Sequence, residues 1–215
     1  MKEIDVTLTD YGLTILCFVI ALVIFKKRTD NPMLTTWFTV LFLSVGFAAF
    51  IGGTVHGFVY EGTLSHFILW RGAILFIGVS ALCGWMIGFS IIFTPFFQKI
   101  FSVAAIVNFI IYSAYVLFFN QNFGVAPANY LPSAVFLLIV FISVYKQTLH
   151  KLAFFALLGL VLTFVAAGIQ QLEIDVHPDY FNHNAFYHVV QAAGLYLIFL
   201  GSTFLIKFEA HHLKD

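Results

Sequence analysis

Apolar residues fall into seven long runs, each broken by a short polar stretch. The runs cover about 8–25, 33–55, 64–93, 97–119, 130–145, 149–169 and 184–206. A bilayer core of roughly 30 Å takes about 20 residues of helix, so each run reads as a spanning helix. The fifth is the shortest. The breaks carry helix punctuation. Thr29-Asp30-Asn31-Pro32 closes the first loop, with proline at or near the start of a helix. Glu61-Gly62-Thr63, Thr94-Pro95, Asn120–Gly124 with Pro127, Lys146-Gln147-Thr148 and Glu173–Asp179 make the others. The pattern predicts an all-α integral membrane protein, one seven-helix domain over residues 1–215, with no soluble domain, repeat or low-complexity stretch.

Composition sharpens this. The chain is 61% hydrophobic and 9% charged, with 28 Phe, and its mean hydropathy is +0.99. That leaves too little polar surface for water, so the expected solvent is lipid. Zero formal charge gives no reason to expect a nucleic-acid partner. Cys17 and Cys83 lie inside apolar runs and fit neither a disulfide nor a metal spacing.

Charge sets orientation. Lys26, Lys27, Arg28, Lys99, Lys146, Lys151, Lys207 and Lys214 fall on one side. Glu3, Asp5, Asp10, Glu61, Glu173, Asp175 and Asp179 fall on the other, with Lys2. The positive-inside rule puts the N-terminus outside and the C-terminus in the cytoplasm. The membrane this predicts is the plasma membrane (the inner membrane, in a bacterium). Acids precede the first run and the Lys26-Lys27-Arg28 cluster follows it, the reverse of a cleaved signal, so the first helix is expected to be retained.

Polar groups gather in the outer third. His56 ends the second helix, His66 and Arg71 open the third, Gln170, Gln171 and Glu173 end the sixth, and His183, Asn184, His188 and Gln191 open the seventh. Asp10 and Tyr11 stand at the same level. Burying them against hydrocarbon is costly, so they should face one another or a wet cavity. Asn184, His188 and Gln191 share a helix face, whereas His183 is roughly 140° from His188 and joins it only from a non-helical position. Imidazole is the commonest zinc ligand and a catalytic zinc takes three protein ligands. His56, His183 and His188 are the candidate set, with Asn184, Tyr187, Gln191, Thr54 and Glu173 around them as substrate contacts or imidazole supports. His66, His150, His177, His211 and His212 read as ordinary loop or interface residues, and Ser80, Gly84 and Gly88 as a small-residue packing stripe. Arg71 reads either as a snorkelling or ion-paired residue, with Asp10 or Glu173 as partner, or as a grip on an anionic headgroup or a catalytic carboxylate.

A histidine ending the second of seven helices and a histidine pair opening the seventh resembles the superfamily of alkaline ceramidases and adiponectin/progestin-type receptors, often called CREST. That resemblance implies a zinc held by three histidines and, in several members, hydrolysis of lipid amides. This chain departs from the pattern. Asn184 stands where the family's His-x-x-x-His has its first ligand, Gly52 stands where it has serine, and residues 64–93 contain no acid where it has aspartate. Asp10 is the candidate substitute base. The leading expectation is a zinc-dependent hydrolase of a lipid amide or ester, with Asp10 and Arg71 catalytic. A non-catalytic receptor or binding module for a lipid or small ligand at the same pocket is the alternative. A transporter fits less well, because the inner half is nearly free of polar groups.

Overall fold

The computed structural model describes residues 3–26, 31–119, 122, 124–177 and 180–208. Among these lie seven α-helices: α1 (Ile4–Phe25), α2 (Pro32–Phe58), α3 (Leu64–Ile92), α4 (Pro95–Phe118), α5 (Val125–Thr148), α6 (Lys151–Gln171) and α7 (His183–Leu205). Each is long and apolar enough to cross a membrane. The chain is thus an all-helical bundle of the kind that makes a multi-pass membrane protein.

The helix starts follow their caps. Asn31 accepts a hydrogen bond from the Leu34 amide (3.1 Å) ahead of Pro32. Thr63 accepts from the His66 amide (3.2 Å), His150 from Leu152 (3.2 Å) and Asn182 from Ala185 (3.1 Å). Such caps satisfy amides that a helix start leaves without partners. Two expectations change. The fifth helix is not short: it has 24 residues, holds Pro127 in its first turn and continues through Pro132. Proline costs nothing in a first turn, where the missing N–H had no partner, and inside an apolar bundle the neighbouring helices hold the segment in place. α1 also starts earlier than the apolar run, at Ile4, taking Asp5 into its first turn, where the helix dipole favours an acid. The Lys27–Asp30 stretch, most of the Asn120–Gly124 loop, Pro178-Asp179 and the tail with His211, His212 and Lys214 lie outside the described residues.

Helix contacts close a ring in the order α1, α2, α3, α5, α6, α7 and back to α1, while α4 packs mainly on the outside of α3. Glycines set the tightest seams. A Cβ on Gly159 of α6 would lie 2.5 Å from the Gly194 carbonyl oxygen, and one on Gly194 of α7 would lie 2.8 Å from that of Gly159. The two backbones touch, as small-residue seams permit in lipid. The expected stripe on α3 does pack helices. Ser80 bonds Ser44 of α2 (2.8 Å), and Gly84 and Gly88 face Ser133 and Phe136 of α5.

The two ends differ. At the basic end, with Lys26, Lys99, Lys146, Lys151 and Lys207, buried side chains fill the ring: Ile24, Leu34, Phe38, Phe42, Ile87, Ile91, Phe141, Val144 and Leu205. The acidic end, with Glu3, Asp10 and Asp175, encloses a cavity.

Candidate functional site

A cavity of about 430 Å³ lies inside the ring, lined by every helix except α4. Along α7 the lining runs from Asn184 to Ile198, about 21 Å of helix axis at ~1.5 Å per residue. Its two ends are chemically unlike. The acidic end carries Asp10, His56, Gln170, Gln171, Asn184, Tyr187, His188 and Gln191. The deep end is walled by Leu41, Leu137, Leu160, Leu195 and Ile198, and the Ser80, Ser133 and Thr163 hydroxyls among them are already bonded to Ser44 or to backbone carbonyls.

Asp10 enters this space because α2 has no side chains to stop it. A Cβ on Gly53 would stand 2.8 Å from the Asp10 Cβ and 3.3 Å from the Thr7 carbonyl oxygen. A Cβ on Gly52 would stand 3.2 Å from Asp10 Oδ2, and one on Gly57 2.9 Å from Thr7 Oγ1. The Gly52-Gly53-x-x-x-Gly57 stretch is therefore a seat on which α1 lies close, with its one buried carboxyl against Gly52.

Asp10 meets His188 there. Oδ1 is 3.1 Å from Nε2, and the two side chains are 4% and 10% exposed, so the pair is shielded from water. The other ring nitrogen, Nδ1, is 3.1 Å from Thr9 Oγ1. Thr9 also donates to the carbonyls of Asp5 (2.9 Å) and Val6 (3.0 Å) in its own helix. With that hydroxyl proton committed, the Thr9 oxygen receives the Nδ1–H of His188. Nε2 and Oδ1 then share one proton. As imidazole with carboxylic acid, or as imidazolium with carboxylate, the pair has no net charge. Asp5 accepts from the Asn182 amide (3.0 Å), fastening the mouth of α7 to α1.

His56 lines the cavity with its Nδ1 2.8 Å from Glu3 Oε2 and its ring edge-on to Trp70 at 6.3 Å. Gln170 donates to Asn184 (3.4 Å), joining the ends of α6 and α7. Among the described residues Asp10 is the only acid in the lining, and no Lys or Arg belongs to it. Four amide side chains supply both donors and acceptors.

Four expected site residues stand elsewhere. His183 is the first residue of α7, and both its amide (2.6 Å) and its Nδ1 (3.0 Å) meet Asp175 Oδ1 on the exposed surface. Its non-helical route to His188 does not exist, because Asn182 caps α7 and fixes His183 on the helix, away from the cavity face. Glu173 is exposed and left-handed (φ 52°) just after α6. There the Ile174 amide reaches the Ile169 carbonyl (3.1 Å) and the Glu173 amide that of Gln170 (3.3 Å). This is a helix-ending motif that usually takes glycine. Thr54 lies outside the lining, 3.2 Å from the Tyr11 hydroxyl. Arg71 also lies outside it. Its Nε is buried with no hydrogen-bond partner, and among the described residues the ion pairs are those of His56, His183 and His188, so neither Asp10 nor Glu173 answers it.

The zinc set does not assemble as expected. His56 and His188 share the cavity and His183 does not. Both nitrogens of His188 are taken by Thr9 and Asp10. Among the described residues no group of three or more His, Cys, Asp or Glu side chains is arranged to hold a metal ion. The site that does exist needed Thr9, Glu3, Trp70 and the glycine seat, and sequence reasoning missed these. Thr9 adjoins Asp10, but which neighbouring helix it touches is a tertiary fact.

Fold and site together define a class: a seven-helix membrane bundle around a cavity that is polar at one end and apolar in its depth. The chain belongs to DUF6962, a family of unknown function, whose model matches residues 6–207. No curated protein and no solved structure matches it.

Proposed function

We propose that this protein takes a long-chain amphiphile from the membrane into its central cavity. The head is held by Asp10, His188, Gln191 and Asn184, and the tail lies along Leu160, Leu195 and Ile198. The observation that carries this is the polarity of the cavity: one hydrogen-bonding end and about 21 Å of depth ending among leucines and isoleucine. A lining with no Lys or Arg, and with its one acid already matched by histidine, suits a head that donates and accepts hydrogen bonds without negative charge. By the positive-inside rule the polar end faces outward from the plasma membrane.

A second reading, hydrolysis of the bound lipid at an amide or ester, is favoured by one observation, the Asp10–His188 pair at the head end. Once it has given up the shared proton, an imidazole–carboxylate pair can take one from water and return it to a leaving group. Binding is the reading the geometry supports best, because it asks nothing of a third metal ligand.

The experiment is lipid extraction from the purified chain, followed by mass spectrometry. Wild type is expected to retain a defined amphiphile that Ala49→Trp, which fills the cavity, does not. Equal lipid profiles from the two would sink the proposal. A retained lipid found cleaved in wild type and intact in His188→Ala would establish the second reading over the first.

A further inference from the structure

The cavity leaves one charge of the acidic end unexplained. Lys26, Lys99, Lys146, Lys151 and Lys207 stand at the basic end, so among the described residues Arg71 is the one Lys or Arg in the acidic half. It lies in the third turn of α3. Residue 71 is seven before Gly78, about 20° from it around the helix, so the two share a face. Gly78 meets the ring of Tyr112 on α4, whose hydroxyl donates to the Ile74 carbonyl (2.8 Å). Arg71 therefore sits on the α3–α4 seam, about 10 Å beyond that contact toward the acidic end. This is outside the ring and away from the cavity.

Its Nε is buried with no hydrogen-bond partner. A guanidinium cannot shed its charge and presents a planar fork of donors. A charge at membrane depth needs a counter-charge, but Glu3, Asp10 and Asp175 are each matched to a histidine, Asp5 accepts from the Asn182 amide, and among the described residues no ion pair joins Arg71 to Glu61 or Glu173. α3 and α4 offer none: neither helix contains an Asp or Glu. What remains at that level is the anion the membrane supplies. We propose that Arg71 binds the phosphate of an anionic phospholipid at the outer end of the α3–α4 seam, a site separate from the cavity. The phosphate oxygens accept from the guanidinium fork, and the acyl chains lie along the apolar face of α4, where Ile106, Ile110 and Ile111 are exposed.

The test is native mass spectrometry of the full chain in detergent, titrated in turn with phosphatidylglycerol, with diacylglycerol of the same chains and with inorganic phosphate. Wild type is expected to retain phosphatidylglycerol over diacylglycerol by about tenfold, the scale of one charge-assisted contact. Arg71→Gln should lose that preference, and Arg71→Lys should keep part of it. Ser113→Ala, which removes another buried hydroxyl without a partner, should leave it unchanged. Equal retention of the two lipids by wild type overturns the proposal even if Arg71→Gln fails to fold, and so does an Arg71→Gln variant with wild-type preference. Inorganic phosphate displacing phosphatidylglycerol at comparable concentration would reassign the site to free phosphate and overturn the lipid assignment. Cavity-filling Ala49→Trp should keep the preference, so the seam and the cavity stand or fall separately.

Discussion

The two halves of the bundle are built from the same apolar vocabulary and do opposite things with it. In the basic half, α1, α2, α3 and α5 send Ile24, Phe38, Phe42, Ile91 and Phe141 inward until the ring is solid. In the acidic half the same helices place small residues inward: Ala48, Ala49 and Gly52 on α2, Ala73 and Gly84 on α3, Ala126 and Ala134 on α5. A ring of six helices with small inward residues cannot close its own centre. Hydrocarbon chemistry alone therefore does not decide whether a membrane bundle is plugged or hollow; side-chain volume on the inward face does. The hollow half is also where the polar groups are, so the opening and the chemistry coincide.

The sealed half should break hardest. Phe38→Ala removes a fully buried ring and is expected to cost about 4 kcal/mol in reversible unfolding from mixed micelles. Ala49→Trp, in the hollow half, should cost far less if the cavity takes the ring, while removing lipid binding. A cost as large as that of Phe38→Ala would mean that the acidic half is not hollow.

The polar pair comes next. His188→Ala leaves the Asp10 carboxyl buried without its partner and should cost about 3 kcal/mol in the same assay. A double-mutant cycle of Asp10→Asn with His188→Gln should return a coupling of about 1–3 kcal/mol. Additivity would mean that the two do not interact. His183→Ala should cost less than 1 kcal/mol, since its Asp175 contact is exposed. It should also leave bound lipid and zinc content unchanged, whereas a fall in zinc by elemental analysis would restore it as a ligand.

One further effect has the opposite sign. Glu173 adopts a left-handed conformation that glycine takes without strain. Glu173→Gly is expected to stabilise by about 1 kcal/mol, read as a raised melting temperature. Loss of stability would assign the carboxylate a contact that its exposure argues against.

Much of this was legible in the sequence. Seven apolar runs gave seven helices, because in lipid a backbone has few alternatives. Asp10, His56, Asn184, Tyr187, His188 and Gln191, chosen for depth and helix face, do line one cavity. What failed depended on facts that a linear pattern does not carry. Pro127 suggested a loop because local rules weigh a proline without the neighbouring helices. His183 was expected to reach His188 from a non-helical position, while the Asn182 cap starts the helix at His183 and fixes it elsewhere. Gly52 looked like a missing serine and is a vacancy that admits Asp10. Its role is defined by the helix opposite, which the sequence does not name.

The most direct test of the central claim uses two photoreactive alkyl amphiphiles, one labelled at the tail end and one beside the head, crosslinked to the purified chain and mapped by peptide mass spectrometry. The tail label should attach near Leu160, Leu195 and Ile198, and the head label near Asn184, Gln191 and His56. Labels confined to the lipid-facing side of α4, around Phe101 and Ile110, with the cavity lining unmarked, would contradict it.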